Sequence, residues 1–315
     1  MICFYEFVPL FAGHIVHPLG ASGDKLAQSQ HVFDALRTFD ATDVPAIWAQ
    51  CPDSAGLGLA VGNRLKKAAG FHTEEADGAF VSYFPDWRAA FDYSRRTGID
   101  GMIFTTWEGV WADTEEELES ANREALAIHE CDRRLYPGVS IHPAFPECSE
   151  KWLKTFRERG FVWVGELVHY RANRGDYDSS AWIRLFELAC ELGMIVQLHV
   201  SPSVIRLAKR LPELKIVNSH VEIPLLKELA ACPGVMLDVS GFAGGLRFNS
   251  MEYALREFGP DRLLFGTDFT VYEPESFLLR SRHAFPDPEV REKLYSGNLL
   301  SLLASAGAGN PFQEE

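Results

Sequence analysis

From about residue 86 onward, short apolar, β-branched runs alternate with helix-length amphipathic stretches, and this alternation restricts the fold more than any other feature of the chain. Helical patterns fall over 87–98, 114–130, 149–159, 179–192, 203–210, 223–232, 250–259 and 288–304. The apolar runs between them fall over 99–106, 138–143, 161–168, 194–200, 214–220, 235–241 and 262–268. Thr114 and Glu117 have the spacing of a capping box at the start of the second helix. Runs such as "MIVQLHV" are continuously hydrophobic, as strands buried on both faces are. Counting the apolar N-terminal "MICFYEFVPLF" as the first strand gives eight. Eight βα repeats in strict order predict an α/β protein closed as a (β/α)8 TIM barrel. A doubly wound sheet would compete, but no GxGxxG follows any of the strands.

The rhythm breaks between residues 18 and 85. That segment holds "CPDSAGLG" and a helical piece over 28–40, and it reads as a long insertion after strand 1. Its aromatic residues, among them Trp48, Phe71, Phe80, Tyr83 and Phe84, favour a packed cap over a solvated loop. The whole of 1–315 is therefore expected to be a single barrel domain carrying 18–85 as a cap-like insertion.

Bulk properties exclude several classes of function. With 30 Lys and Arg against 44 Asp and Glu the formal charge is −14, so there is no basic surface for a phosphate backbone, and no nucleic-acid partner is expected. No apolar run reaches the ~18–20 residues of a membrane span. The N-terminal stretch lacks a basic flank and carries Glu6, unlike a signal peptide. Six scattered cysteines with no CxxC fit reduced thiols in a cytoplasmic protein.

In a barrel, polar residues at the C-terminal strand ends are where chemistry is found. Here those ends carry Glu166 on the fourth strand, His199 on the fifth, His220 on the sixth and Asp268 on the eighth, with His142 on the third and Asp238 on the seventh. Singly, each has a structural explanation: an ordinary core histidine, a turn aspartate, an ion-pair partner for Arg171 or Arg174. Together they would converge on one small volume, where carboxylates and imidazoles must be paired or metal-bound. Imidazole with carboxylate suits Zn²⁺ or a similar divalent ion.

The stretches "MIVQLHV", "KIVNSHV", "RLLFGTDF" and "EVREKLYSGNLLSLL" resemble the amidohydrolase superfamily, in particular its amidohydrolase-2 branch of aminocarboxymuconate-semialdehyde decarboxylase-like enzymes and lactone hydrolases. The resemblance covers about 86–305. It implies that His199 is a metal ligand, that His220 is a ligand or a carbonyl-polarising group, and that Asp268 is both ligand and proton carrier. Glu166 in "VGELV" resembles a family variant in which a strand-4 Glu joins the ligands.

The departure lies at strand 1, where the family carries Asp-x-His-x-His and this chain has no HxH at all. In one alignment "ICFYEFVP" is the strand and Glu6 takes a ligand position. In another, His14 and His17 of "GHIVHPLG" supply the ligands through a β-bulge that corrects their three-residue spacing. In a third, Glu6 acts together with a loop histidine. We expect at least one of His14 and His17 to reach the site.

The resemblance implies a metal-dependent hydrolase that attacks an ester, lactone or amide of a small carboxylated substrate with activated water. The cofactor would be Zn²⁺, with Mn²⁺ as the alternative. Asp268 would move the proton and His220 polarise the carbonyl, while Arg171 and Arg174 bind a substrate carboxylate and Trp107 lines the pocket. A non-oxidative decarboxylase would use nearly the same residues. A barrel that has lost its metal and become a binding protein is the reading that the missing HxH suggests, and the retained His199, His220 and Asp268 oppose it. The resemblance also leads us to expect a homodimer.

Overall fold

The computed structural model describes residues 1–11, 13–40, 42, 47–50, 52, 57, 61, 65, 84, 86–170, 174–241 and 246–312. The chain folds as two compact units, Met1–Ala79 and Phe80–Glu315. The first unit takes in residues 1–17 as well as most of the stretch expected as an insertion.

In the first unit, β1 (Ile2–Cys3) pairs in parallel with β2 (His17–Pro18), and helix Lys25–Asp40 follows. Ile2, Leu19, Val32 and Ala35 are fully buried around this pair. The strand expected over 2–9 stops at Cys3, and a 3-10 helix, Tyr5–Phe11, takes its place. Pro9, which has no N–H to give a strand ladder, lies inside that helix.

The second unit contains β3 (Met102–Phe104), β4 (Leu135–Pro137), β5 (Trp163–Leu167), β6 (Ile195–His199), β7 (Lys215–Ser219), β8 (Val235–Asp238) and β9 (Leu263–Leu264). Each strand is parallel to the next in chain order, with β4 and β5 joined through the single bridge Val139–Val164. Helices separate the strands, as parallel neighbours require. The strand expected at 138–143 falls earlier, at 135–137, because Asn122 replaces the ladder at Ser140. Its Oδ1 accepts from Ser140 N at 2.8 Å and its Nδ2 donates to Ser140 O at 2.9 Å. The capping box forms as expected, with Glu117 N donating to Thr114 Oγ1 and Thr114 N donating to Glu117 Oε2. The last helical pattern is real but carries a π-turn at Lys293–Gly297, between Pro288–Glu292 and Asn298–Ser305.

Ile195, Val196 and Leu198 of β6 and Val235 and Leu237 of β8 are all fully buried, which accounts for the continuous hydrophobic runs. Paired residues of parallel strands share a face, so the register puts Gln197 with Val217, and His199 with Ser219, on one side of the sheet. That face carries the polar residues at the C-terminal strand ends.

Candidate metal centre

β5 reaches its polar end through a bulge. Trp163 and Val164 pair with Ile195 and Val196, but Leu167 pairs with Leu198, so β5 has one residue more than β6 over this stretch. The extra residue lies at Gly165–Glu166, and a bulge of this kind re-aims the side chain it carries. Gly165 adopts φ +90°, and a Cβ there would sit 2.5 Å from Gln197 O, so only glycine fits. Glu166 and His199 thus come from adjacent strands, and His220 follows the end of β7 with φ +69°. Among the described residues, Glu166, His199 and His220 form the group able to hold a metal ion, their donor atoms all lying within 4.8 Å of one another.

His220 Nε2 lies 3.5 Å from Glu166 Oε1. That oxygen is buried and makes no hydrogen bond. A buried carboxylate oxygen without a donor is costly, and a cation removes the cost. The 3.5 Å separation is close to the ~3.3 Å between two ligands on one tetrahedral ion with bonds of about 2.0 Å. Two imidazoles and a carboxylate are also a donor set suited to Zn²⁺ or Mn²⁺. The residues therefore fit a divalent ion.

The electrostatics are those of a buried, mixed-charge cluster. Burial acts to lower the His220 pKa, but the Glu166 carboxylate outweighs it, with help from Asp238 and Asp268, and lifts the imidazole to about 10. Burial acts to raise Glu166, and its contact with His220 wins and holds the carboxyl below its usual range. Asp268 is lifted to about 6 by burial, reinforced by Glu166 and Asp238 and opposed by His220. His199 is lowered, mainly by burial. The rings of His199 and His220 lie 4.8 Å apart, and the Tyr170 ring stands edge-on to His199 at 5.0 Å.

The other predicted site residues are not members of that group of three, and one lies outside the described residues. Glu6 is on the 3-10 helix, not on a strand, and its exposed carboxylate accepts from Ser22 N and Ser22 Oγ at 3.0 Å. His14 lies in the exposed turn before β2 and His17 on β2 itself, so no bulged strand carries both. The His17 Nδ1 is 3.0 Å from Thr38 Oγ1. Arg174 is buried, and it donates to Ala112 O at 2.8 Å and Val168 O at 3.4 Å. Arg171 is outside the described residues. Trp107 is half-exposed on the short helix Trp107–Trp111, its ring 5.5 Å from Trp111. His142 is buried, with Nδ1 accepting from Ala144 N; burial, with Arg174 and Asp113 acting in opposite senses, leaves its pKa near 4, so the ring is neutral.

Asp238 has no role assignable from the sequence alone, and Gln197 and Ser240 do not stand out in it. Asp238 is buried and accepts from Ser240 N at 2.9 Å, from His220 N at 3.3 Å and from Gln197 Nε2 at 3.0 Å. A signal was available: Gln197 stands two residues before His199, and Ser240 two after Asp238, the spacing that shares a strand face.

Comparison with known proteins bears on the family and the fold. The family profile described as amidohydrolase matches residues 97–302, about two thirds of the chain. A profile of the threonylcarbamoyl-AMP synthase C-terminal domain matches residues 2–70, a minor part of it. No curated protein matches the sequence. Among solved structures, 5-carboxyvanillate decarboxylase from Sphingomonas paucimobilis superposes with a TM-score of 0.56 at 17% identity, covering 87% of this chain and 96% of that one. A dihydroxybenzoic acid decarboxylase from Polaromonas sp. JS666, with bound manganese and the inhibitor 2-nitroresorcinol, gives 0.56 at 18%, covering 76% and 92%. An amidohydrolase from Burkholderia multivorans with bound zinc gives 0.55 at 18%, covering 71% and 89%. The fold is the TIM barrel. The chain belongs to the amidohydrolase family and is an enzyme.

Proposed function

We propose that this chain is a divalent-metal-dependent hydrolase of an ester, lactone or amide bond in a small carboxylated molecule. One observation carries the reading: Glu166 Oε1, a buried oxygen without a hydrogen bond, faces His220 Nε2, with His199 completing the set and Asp268 close enough to feel its charges. Glu166, His199 and His220 would hold the ion, with Asp268 as a further ligand or as the proton carrier. When bound, the ion supplies Lewis acidity, polarising a substrate oxygen and lowering the pKa of water to about 7.

The chain's own residues do the rest. An Asp268 carboxyl poised near 6 is mostly ionised at neutral pH, yet it accepts and returns a proton with little driving force lost. Tyr170, beside His199, offers an aromatic wall against which a flat substrate can lie. With Glu166, His199, His220 and Asp268 all drawn from the second unit, the donor set needs no HxH, and Glu6, His14 and His17 need not contribute.

Decarboxylation is the second reading. It is favoured by the breadth of the match to 5-carboxyvanillate decarboxylase, which takes in 87% of this chain. Metal analysis by plasma mass spectrometry, followed by parallel assays of lactone or ester hydrolysis and of carbon dioxide release from aromatic acids, tests both. Folded protein that stays metal-free after incubation with Zn²⁺ and Mn²⁺ would reject either chemistry.

A further inference from the structure

A chain of hydrogen bonds crosses four strands behind His220, and its directions can be assigned from one end. The Trp163 indole can only donate, and its Nε1–H points at Gln197 Oε1 at 3.0 Å. That fixes the amide orientation, so Gln197 presents Nε2 to Asp238 Oδ2 and to Ser219 Oγ, each at 3.0 Å. Asp238 is ringed by donors: this amide, the backbone N–H groups of His220 and Ser240, and the Ser240 hydroxyl, which donates to Oδ1. A serine hydroxyl has one hydrogen. Once it is given to Asp238, the Ser240 oxygen 2.9 Å from His220 Nδ1 can only accept.

We propose that Asp238 and Ser240 are positioning residues that keep a proton on His220 Nδ1 and thereby reserve Nε2 for the Glu166 side of the site. The backbone reinforces the geometry. Gly241, at φ +78°, leaves the imidazole its space, since a Cβ there would lie 2.5 Å from Nδ1. Metal-binding histidines generally donate their second ring N–H to an acceptor behind them. Here the acceptor is a hydroxyl whose own hydrogen is given to the Asp238 carboxylate, which can only accept. The inference rests on the reading of His220 as a ligand given above, but the proton position can be measured without any substrate.

The test is ¹⁵N-histidine NMR on the full chain, zinc-loaded and zinc-free, for the wild type, Ser240→Ala and Ser240→Thr. In zinc-loaded wild type we expect the His220 proton on Nδ1, as an exchange-protected resonance, with Nε2 shifted by the metal. Ser240→Ala should lose that protection and raise the Zn²⁺ dissociation constant about 10–100-fold, with thermal unfolding recorded to show that it is folded. Ser240→Thr, which keeps the hydroxyl, should retain the resonance. In the zinc-loaded wild type, a proton on Nε2 in place of Nδ1 overturns the proposal, as does a protected Nδ1–H that survives in Ser240→Ala. Loss in both variants assigns the position to packing and also overturns it. If the wild type binds no Zn²⁺, the metal reading fails by itself, and the Nδ1–H resonance of the zinc-free protein and its response to Ser240→Ala still decide the relay.

Discussion

Two pairs of histidines in this chain invite the same reading and have different surroundings. His14 and His17 lie in and beside an exposed turn; His14 is open to solvent, and His17 meets one threonine hydroxyl. His199 and His220 stand at consecutive strand ends of the second unit, with rings 4.8 Å apart, both beside the Glu166 carboxylate, whose Oε1 is buried. The difference teaches that imidazoles close in sequence are a weaker sign of a metal centre than imidazoles at the ends of neighbouring strands. A parallel sheet in chain order brings successive strand ends together, whereas a three-residue spacing sends two side chains of one strand to opposite faces.

The largest effect should come from the strand-end pair. In His199→Ala we expect bound metal to fall from about one equivalent to near zero, and activity with it, since removing one of few protein ligands leaves too little to hold the ion. Plasma mass spectrometry on dialysed protein reads this directly. Full retention of metal in this variant would move the centre away from β6 and undo the contrast.

Asp268→Asn sharpens the contrast within the site. The amide keeps the shape and an oxygen but cannot carry the proton, so we expect kcat to fall roughly 10²–10⁴-fold while most of the metal stays. Measured kcat against KM separates the roles. Metal lost in step with kcat would instead make Asp268 chiefly a ligand.

How much of this was legible in the sequence follows from how each residue is placed. His199, His220 and Asp268 could be found because each ends a hydrophobic run whose strand character depends only on local pattern, and chain-order pairing then brings them together. The aim of Glu166 was hidden, because it depends on a bulge at Gly165 that exists only relative to the register of β6. Glu6 was misplaced because "ICFYEFVP" has strand-like apolarity, and the pattern does not show that the chain leaves β1 after Cys3. The roles of Gln197, Asp238 and Ser240 were out of reach for another reason: hydrogen-bond direction belongs to a network, not to a residue.

A smaller effect is expected in the pH dependence of stability. In metal-free protein the folded-state pKa of His220, near 10, exceeds the ordinary value of about 6.5. Its contribution to stability is therefore complete below pH ~6.5 and is lost as the pH rises through about 10, a change on the order of 5 kcal/mol. Urea unfolding between pH 6 and pH 10 in the presence of a chelator should show the decline. With Zn²⁺ bound, the Nε2 lone pair is taken and the decline should vanish. Identical slopes with and without metal would mean that His220 is not a ligand.

The smallest effect should come from the N-terminal pair, and that is the point of measuring it. His14→Ala/His17→Ala removes two imidazoles and one exposed hydrogen bond, between His17 Nδ1 and Thr38 Oγ1. Such a bond contributes about 0.5–1.5 kcal/mol, so unfolding should shift by no more than about that. Metal content and activity should stay at wild-type values, because Glu166, His199, His220 and Asp268 supply the donors without them. A double variant that keeps its fold but loses its metal would show that "GHIVHPLG" completes the centre after all. The missing HxH would then have been replaced rather than dispensed with, and the exposed pair would carry as much of the chemistry as the buried one.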